Sequence, residues 1–563
     1  MEELGKLTFP SLVNETVRKY GGCDAFAFVG EKPKTYSEVL NDINAVSAFL
    51  EKHGVVKGDR VALLSSNMPN WGIAYFAITF MGAIVVPILP DFLIVEVGNV
   101  LYHSGAVAIF VSTNLVPKIE GPNPESLKIK ILIDDFSIIN SDIVKDIFDP
   151  SAKPVNEYNV EEDDVAAIIY TSGTTGKSKG VMLTHKNICF TAHKGKKIQF
   201  LDETDRFLSV LPLSHTYENT LGLMLCVLCG SCVYYLRKPP TPSVLLPALQ
   251  EIRPTIMLTV PLIIEKIYFN KVLPAFSDKF FIKTLYKVPL IRKKLNSIAG
   301  KKLYETFGGK LKFFGIGGAK LNRTVEQFLI EAKFPYAIGY GLTETSPLLA
   351  GANAQNSLFD STGPAMEGVT LKIHNPDKIT GEGEIWAKGP NIMKGYYKEP
   401  EMTKEVITED GWFKTGDLGT LDSNNYLFIK GRLKNMIIGS SGENIYPEEI
   451  ESVINNFRYV VESLVVQQKG KLVALVHLNM EELENKYTHI KEEVSKQFDG
   501  KFTKQVEGKV NEMLVELRDY VNSRVNKFSQ IQKVVVHHDP FQKTATLKIK
   551  RFLYTGNKDN KKP

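Results

Sequence analysis

Cysteine is scarce in this chain, and its scarcity excludes one class of protein. Five cysteines among 563 residues are too few for the disulfide framework that holds small secreted domains together. Cys226, Cys229 and Cys232 follow a C-x2-C-x2-C spacing within the apolar stretch LGLMLCVLCGSCVYYL. An iron–sulfur cluster would need a fourth thiolate, and only Cys23 and Cys189 remain. We therefore expect buried structural thiols.

Long apolar runs and a strong net charge are also missing. The most apolar stretch, 73–97, is interrupted by Pro87, Pro90 and Asp91, which makes it unsuitable as a membrane span. The first residues, MEELGKLTFPSL, lack the basic segment and apolar core of a secretory signal, so we expect a cytoplasmic protein. A net charge of +5 and a pI near 8.6 suit anionic ligands but do not indicate a nucleic-acid partner.

The order of the apolar segments predicts an α/β fold. Short β-rich runs such as 61–64, 84–88 and 165–170 alternate with helical patterns such as 36–53. This alternation is typical of mostly parallel sheets covered by helices. A length of 563 residues also exceeds that of a single domain.

The same patterns predict the domain limits. We expect a large N-terminal domain over 1–432, with a small β-rich subdomain from about 359 to 432, where short strands and glycine turns replace the alternation. The pattern over residues 433–556 predicts a mobile α+β C-terminal domain, which is smaller than the first domain and of ordinary size for a domain. The polar tail, 557–563, is expected to be disordered.

The stretch YTSGTTGKSKGVMLTH, 170–185, carries the strongest chemical signal. Glycines let a backbone approach a phosphate chain closely, and successive N–H groups, hydroxyls and lysines can surround it. A Walker A loop needs four residues between its first glycine and the Gly-Lys pair. Gly173 and Gly176 have two between them, and Thr171 stands where the first Walker glycine would be. This spacing argues against a P-loop nucleotidase.

Two further motifs suit a nucleotide. GIGGAKL, 315–321, has glycines that permit close approach to a flat ring. YGLTETSP, 340–347, offers an aromatic ring that can stack on adenine, a threonine that can bind a phosphate, and Glu344, a hard oxygen ligand suited to Mg²⁺.

Two more motifs follow toward the C-terminus. Asp417, in WFKTGDLG, suits ribose hydroxyls, and Arg432, in IKGRLKN, adds a planar donor and a positive charge. KTATLKIKR, 543–551, is a basic run that could also be an ordinary solvated face.

These five motifs, in this order, resemble the AMP-forming acyl-CoA synthetases of the adenylate-forming superfamily, and most of all the long-chain fatty acid–CoA ligases. The resemblance extends from GDRVALLSSNMPNW to KTATLKIKR, nearly the whole chain. It implies that a fatty acid is activated by ATP to acyl-AMP with release of pyrophosphate, and then transferred to CoA with release of AMP. Mg²⁺ is the implied cofactor, and ATP and CoA are the implied co-substrates.

The resemblance also implies roles for individual residues. Lys548, Glu344 and His215 match the catalytic positions, with His215 near the acyl carboxylate, and Glu344 and Thr171 match the metal site. Lys434 matches the hinge, and Gly439 and Gly442 lie in the segment that faces CoA. The loop 171–179 matches the one that holds the β- and γ-phosphates. The implied ATP- and AMP-binding residues are Thr171, Ser172, Gly173, Thr174, Thr175, Gly176, Lys177, Gly317, Gly318, Ala319, Tyr340, Gly341, Thr343, Asp417 and Arg432.

Two positions depart from the family pattern. Ile338 stands where many relatives have a polar residue, often glutamine, two positions before the aromatic residue. Leu547 replaces the glycine that usually precedes the catalytic lysine, which changes the loop before Lys548.

The segment 260–268, VPLIIEKIY, and the insert that follows it resemble the long-chain branch. Between Lys279 and Lys310 nine lysines and arginines face one acidic residue, with apolar side chains interspersed. Such a segment can contact the inner face of an anionic membrane, or it can form an ordinary solvated helix pair.

Other functions are compatible with part of this pattern. A fatty-acyl-AMP ligase that delivers to a carrier protein shares the adenylation motifs but usually carries an insertion that hinders domain rotation, and none is evident. A non-catalytic acyl or nucleotide sensor would be expected to have lost Glu344 or Lys548, and both are present. A luciferase-type oxygenase would keep the same motifs, so only its product would distinguish it.

Overall fold

The computed structural model describes residues 5–139, 148–172, 178–277, 284–439, 443–468, 470–479, 502–544 and 549–555. The chain forms two compact units. The first comprises Met1–His374, Ile385–Thr415 and Leu421–Phe428, and the second comprises Asn375–Glu384, Gly416–Thr420 and Ile429–Pro563.

The α-helices of the described residues are α1 (Phe9–Tyr20), α2 (Tyr36–Lys52), α3 (Pro69–Phe80), α4 (Ile94–Ser104), α5 (His185–Ile198), α6 (Leu225–Cys229), α7 (Pro242–Ile252), α8 (Pro261–Ile267), α9 (Leu273–Ser277), α10 (Pro289–Thr306), α11 (Arg323–Glu331), α12 (Pro400–Val406), α13 (Pro447–Ile454) and α14 (Phe502–Asn522). π-Helical turns span Tyr217–Met224 and Tyr268–Val272. Short 3₁₀ helices span Thr113–Ile119, Thr343–Thr345, Leu433–Asn435, Lys527–Ser529 and Arg551–Leu553. None of the described helices is both long enough and apolar enough to cross a bilayer.

The strands are β1 (Asp24–Phe28), β2 (Lys34–Thr35), β3 (Arg60–Leu64), β4 (Ile84–Ile88), β5 (Ala108–Val111), β6 (Ile129–Leu132), β7 (Val165–Ser172), β8 (Ser178–Thr184), β9 (Arg206–Ser209), β10 (Cys232–Tyr235), β11 (Ile256–Thr259), β12 (Phe313–Ile316), β13 (Tyr336–Gly341), β14 (Leu348–Gly351), β15 (Thr370–His374), β16 (Gly383–Lys388), β17 (Gly395–Tyr396), β18 (Phe413–Leu421), β19 (Leu427–Arg432), β20 (Ile437–Ile438), β21 (Asn444–Ile445), β22 (Val460–Gln468), β23 (Lys471–Leu478) and β24 (Lys533–Val536).

Two large sheets make up most of the first unit. One has the order β17-β8-β7-β4-β3-β5-β6, and the other β14-β13-β12-β11-β9-β10-β1-β2. The inner strands of both pair in parallel. Among the described residues the antiparallel pairs lie at the ends of the sheets: β7–β8 and β8–β17 in the first, β13–β14 and β1–β2 in the second. The predicted α/β fold of helix-covered, mostly parallel sheets is confirmed.

Smaller sheets follow in the later part of the chain. β15, β16, β18 and β19 form a four-stranded sheet in the predicted β-rich region. In the second unit, β22, β23 and β24 form a sheet whose core is shared with α13 and α14, through residues such as Ile454, Val465 and Leu517. This is the α+β arrangement that the C-terminal sequence predicts.

Local sequence signals start several helices of the first unit. α2 begins with a capping box, in which the Thr35 hydroxyl accepts from Glu38 N–H and the Glu38 carboxylate accepts from Thr35 N–H. α5 begins in the same way after Thr184, with Asn187 as its partner. This cap starts α5 directly at the end of β8, the strand that carries Lys179.

The cysteines are free thiols, and all but the half-buried Cys23 are buried. Burial raises the pKa of the Cys229 and Cys232 thiols to about 12. A thiol with so high a pKa stays protonated and behaves as a small apolar group, as the apolar surroundings in the sequence lead us to expect.

Candidate active site

Strand register brings the phosphate-loop strands against a distant tyrosine. Thr171 on β7 lies directly opposite Lys179 on β8, and Val181 on β8 lies directly opposite Tyr396 on β17. Residues two apart on a strand share a face, and so do residues directly opposite each other. Thr171, Lys179 and Tyr396 therefore project from the same face of the seven-stranded sheet.

Glu344 meets two of these side chains. Its Oε1 accepts a hydrogen bond from the Tyr396 hydroxyl at 2.9 Å and lies 3.1 Å from Lys179 Nζ. Lys179 Nζ also donates to the Tyr396 hydroxyl oxygen at 2.5 Å and lies 4.1 Å from the centre of the Tyr396 ring. Glu344 is 7% exposed, so its charge is held by specific partners more than by water.

Backbone contacts fix the short 3₁₀ helix, Thr343–Thr345, that presents Glu344. The Thr345 hydroxyl accepts from Leu342 N–H, and the amide of Asn391 donates to the carbonyls of Thr345 and Leu348. Asn391 is fully buried. These contacts tie the YGLTETSP motif to the segment that leads into β17.

The Thr171 hydroxyl is buried, and among the described residues it has no hydrogen-bond partner. A buried hydroxyl without a partner is costly unless a ligand or water supplies one. It lies on the sheet face that bears Lys179 and Tyr396, the two side chains in contact with Glu344. The side chains that contact Glu344 thus share a sheet face with Thr171, the other predicted metal-site residue.

The glycines of GIGGAKL lie against an aromatic ring that the sequence argument did not identify. A Cβ added to Gly317 would lie 3.0 Å from the Tyr217 ring, and one added to Gly315 would lie 3.1 Å from its hydroxyl. Gly318 has a φ of +87°, a conformation that favours glycine. The chain turns at Gly318 and Ala319 after β12.

The other residues of the predicted adenine and phosphate contacts lie near the end of β13. Tyr340 and Gly341 belong to β13, which runs parallel to β12, and the half-buried Thr343 opens the 3₁₀ helix. Gly341 is exposed and lies opposite Leu348 on β14. Parallel strands present their carboxyl ends at one edge, the usual ligand-binding edge of an α/β sheet. The two glycine-containing motifs therefore meet at one edge of the eight-stranded sheet.

His215 is half-buried at the start of the π-helical turn, where its Nδ1 accepts from Tyr217 N–H at 3.3 Å. Glu218, three residues later, is fully buried. Its Oε1 accepts from the Ser209 hydroxyl at 2.6 Å and from the N–H groups of Val210 and Leu211. This carboxyl fixes the loop between β9 and His215, and burial raises its pKa to about 8 against those hydrogen bonds.

The raised pKa of Glu218 predicts a pH-dependent stability. The carboxyl keeps its proton in the folded protein up to about pH 8, whereas in the unfolded chain it titrates near 4.5. Its contribution is complete below the unfolded pKa and is lost as pH rises through the folded one, with a slope of up to about 1.4 kcal/mol per pH unit between them. We expect Glu218→Gln to flatten the fall of the thermal midpoint between pH 6 and pH 9.

Glu203→Gln, at an exposed position nearby, is the control for this measurement and should follow the wild-type pH dependence. Parallel curves for wild type and Glu218→Gln would contradict the assignment.

In the second unit, Asp417 and Arg432 form an ion pair, with 3.0 Å between Asp417 Oδ1 and Arg432 Nε. Asp417 is buried and Arg432 is exposed. Lys434 lies in the 3₁₀ helix Leu433–Asn435, and Gly439 N–H donates to the carbonyl of Glu443 across the β20–β21 hairpin. Asp417 and Arg432 thus offer a paired carboxylate and guanidinium, which can bind a diol.

Several predicted site residues lie outside the described residues, or their side chains do. Ser172 ends β7, but only its backbone is described. The others are Gly173, Thr174, Thr175, Gly176, Lys177, Gly442 and Lys548.

Comparison with known proteins extends these observations. The AMP-binding enzyme family matches residues 13–397. The long-chain-fatty-acid–CoA ligase heimdall of Drosophila melanogaster is 29% identical, over 79% of this chain and 72% of its own. The chloroplastic long-chain-fatty-acid–[acyl-carrier-protein] ligase AEE15 of Arabidopsis thaliana is 27% identical, over 96% of this chain and 84% of its own.

A solved structure is similar in fold. O-succinylbenzoate coenzyme A synthetase from Bacillus subtilis, in complex with ATP and a magnesium ion, superposes with a TM-score of 0.73 at 23% identity, covering 96% of this chain and 98% of its own. At that identity the likeness concerns the fold, whereas the family match spans well over half of the sequence. The chain belongs to the AMP-binding enzyme family, and it is an adenylate-forming, ATP-dependent acyl-CoA ligase.

Proposed function

We propose that this enzyme is a long-chain fatty acid–CoA ligase. It converts a fatty acid and ATP to acyl-AMP and pyrophosphate, and then converts acyl-AMP and CoA to acyl-CoA and AMP. The contact of buried Glu344 with Lys179 and Tyr396, on the sheet face that bears Thr171, is the observation that carries the adenylation chemistry. The names of the relatives and the apolar, basic insert after 268 support a long-chain substrate.

The residues of this site fit Mg²⁺ bound together with a nucleotide. Mg²⁺ in such sites is usually held by one or two carboxylates and the substrate phosphates. Glu344 supplies the carboxylate and Thr171 supplies a buried oxygen without a partner among the described residues. When bound, the ion neutralises charge on the phosphate oxygens.

In the first half-reaction the chain mainly positions the substrates and stabilises the transition state. A fatty carboxylate is already ionised at neutral pH, so no protein nucleophile is needed. Lys179 and the loop before it hold the β- and γ-phosphates, and Thr343 contacts the α-phosphate. Gly317, Gly318, Ala319, Tyr340 and Gly341 surround adenine, while His215 orients the acyl carboxylate. Fixed charges of this kind stabilise the transition state without reorganisation.

The second half-reaction uses the C-terminal part of the chain. We assign residues 1–432 to the N-terminal domain and 433–556 to a C-terminal domain that rotates about Lys434. Asp417 and Arg432 bind the ribose. Lys548, which lies outside the described residues, serves adenylation, and the segment around Gly439 and Gly442 then faces CoA. A rotation of this kind lets one site perform two reactions and can limit turnover.

The insert supports a membrane source for the acyl chain. On α10, Leu290 is 80% exposed and Ile298 is 62% exposed. Exposed lysines share that helix: Lys293, Lys294, Lys301 and Lys302. Side chains of both kinds complement an anionic bilayer. We propose a cytoplasmic enzyme that docks on the inner face of a membrane through 279–310.

An assay with ATP, Mg²⁺, CoA and saturated fatty acids of graded length tests the function. Each methylene buried in an apolar pocket is worth about 0.8 kcal/mol. We therefore expect KM to fall by up to about fourfold per added carbon until the chain fills the pocket, with an optimum among long chains. The products, AMP and acyl-CoA, are measured by mass spectrometry.

Two results of this assay, and one of the same assay with the fatty acid presented in lipid vesicles, would contradict parts of the proposal. An optimum at short or aromatic acids would remove the long-chain assignment. Acyl-AMP that accumulates without thioester would favour delivery to a carrier protein. Equal rates with substrate presented in anionic and in neutral vesicles would remove the membrane contact.

A further inference from the structure

We infer that Tyr396 is a positioning residue of the adenylation site, holding both Glu344 and Lys179 in place through one hydroxyl group. The hydroxyl accepts from Lys179 Nζ and donates its own hydrogen to Glu344 Oε1. The hydroxyl group thus gives its hydrogen to Glu344 and offers an oxygen lone pair to Lys179. These are the two charged groups beside the proposed phosphate site.

The backbone around Tyr396 is rigidly held. Its N–H donates to the Thr403 hydroxyl at 2.9 Å, and the neighbouring N–H groups of Lys394 and Tyr397 donate to the carbonyls of Met182 and Gly180 on β8. The Tyr396 side chain is 3% exposed. A side chain fixed in this way can determine the positions of its partners.

The Tyr396 hydroxyl contacts both charged groups at once, as a donor to Glu344 and as an acceptor from Lys179. A neutral hydroxyl can bridge an ammonium and a carboxylate without adding a third charge. The Lys179 ammonium also lies 4.1 Å from the ring centre, so the ring itself attracts the cation.

This bridge determines which oxygen of Glu344 serves a metal. Both Tyr396 and Lys179 make their shortest contacts with Oε1. The geometry therefore assigns Oε2 to a divalent cation that arrives with ATP, while Lys179 stays beside it as a second fixed positive charge. This step rests on the proposed role of Glu344 as the metal ligand. Mutation of a residue that orients a metal ligand typically lowers metal affinity by 10–100-fold.

Tyr396→Phe is a sharp test because it removes one oxygen and keeps the ring that faces Lys179. Tyr397→Phe is a matched control, since it removes the same atom from the next residue, whose hydroxyl donates to the Ser104 carbonyl at 3.4 Å. ATP binding is measured by calorimetry without fatty acid, at increasing Mg²⁺. We expect Tyr396→Phe to raise the Mg²⁺ concentration for half-maximal binding about tenfold, and Tyr397→Phe to leave it unchanged.

The outcomes separate this inference from the proposed function. If ATP binding by the wild-type protein does not depend on the Mg²⁺ concentration, the metal role of Glu344 and this inference are both overturned. A Mg²⁺-dependent wild type with an unshifted Tyr396→Phe curve would overturn this inference alone. Equal shifts in both variants would also overturn it, because they would indicate a general disturbance of β17.

Discussion

Glu344→Gln is expected to lower the rate of acyl-AMP formation by on the order of 10³-fold. The amide keeps the size of the side chain and can still accept from Tyr396, but it loses the negative charge that attracts a cation. It also leaves Lys179 beside a neutral group at a site where the glutamate side chain is only 9% exposed. Loss of one member of such a pair leaves the other charge uncompensated. Pyrophosphate release from ATP and fatty acid measures this half-reaction directly.

A surface glutamate provides the control for that experiment. Glu367 also pairs with lysines, Lys194 and Lys197, but its side chain is 55% exposed. Exposed ion pairs contribute little, so Glu367→Gln should retain normal activity. Normal pyrophosphate release by Glu344→Gln at ordinary Mg²⁺ would remove Glu344 from the metal site.

Gly341→Ala should disrupt the nucleotide site through a backbone collision. A Cβ at this position would lie 1.6 Å from the Pro347 carbonyl oxygen and 2.7 Å from its carbon. Both atoms belong to the backbone, so β13 and β14 would have to separate where Gly341 faces Leu348. That movement would displace the 3₁₀ helix that carries Glu344. Overpacking of this kind costs about 1–3 kcal/mol or more, and we expect at least a tenfold loss of ATP affinity by calorimetry.

Gly339→Ala tests the same strand two residues earlier. Its Cβ would approach the Leu348 side chain at 3.3 Å, with no backbone atom nearer than 3.8 Å, and a leucine side chain can move by a few tenths of an ångström. We expect near-normal ATP affinity and thermal stability. Comparable losses in both variants would show that β13 tolerates no added carbon, and the specific collision at Gly341 would not explain the effect.

The elements predicted correctly are those that local patterns specify. The run 84–88 appears as β4 with those limits, and the run 61–64 lies within β3, because buried parallel strands are rich in β-branched and aliphatic residues. The helical pattern at 36–53 matches α2 to within one residue, helped by its capping box.

The features that sequence reasoning missed depend on distant contacts. Tyr396 lies in a strand of two residues, Gly395–Tyr396, which is too short to produce a periodic pattern. The one available signal was its place in the polar-flanked MKGYYKEP stretch, which does not reveal a partner 217 residues away. Glu218 was missed for another reason: within an apolar helical stretch a single carboxylate predicts an exposed face, whereas a π-helical turn buries it here.

The pairing of β17 with β8 also bears on how the enzyme is made. Lys179 leaves the ribosome 217 residues before Tyr396, and Glu344 leaves it 52 residues before. At synthesis rates of about 5–20 residues per second, Lys179 waits roughly 10 to 40 s for the tyrosine that orders it. Nucleotide can therefore stabilise this part of the chain only late in synthesis, after the strands that precede β17 in the two large sheets have had time to pair.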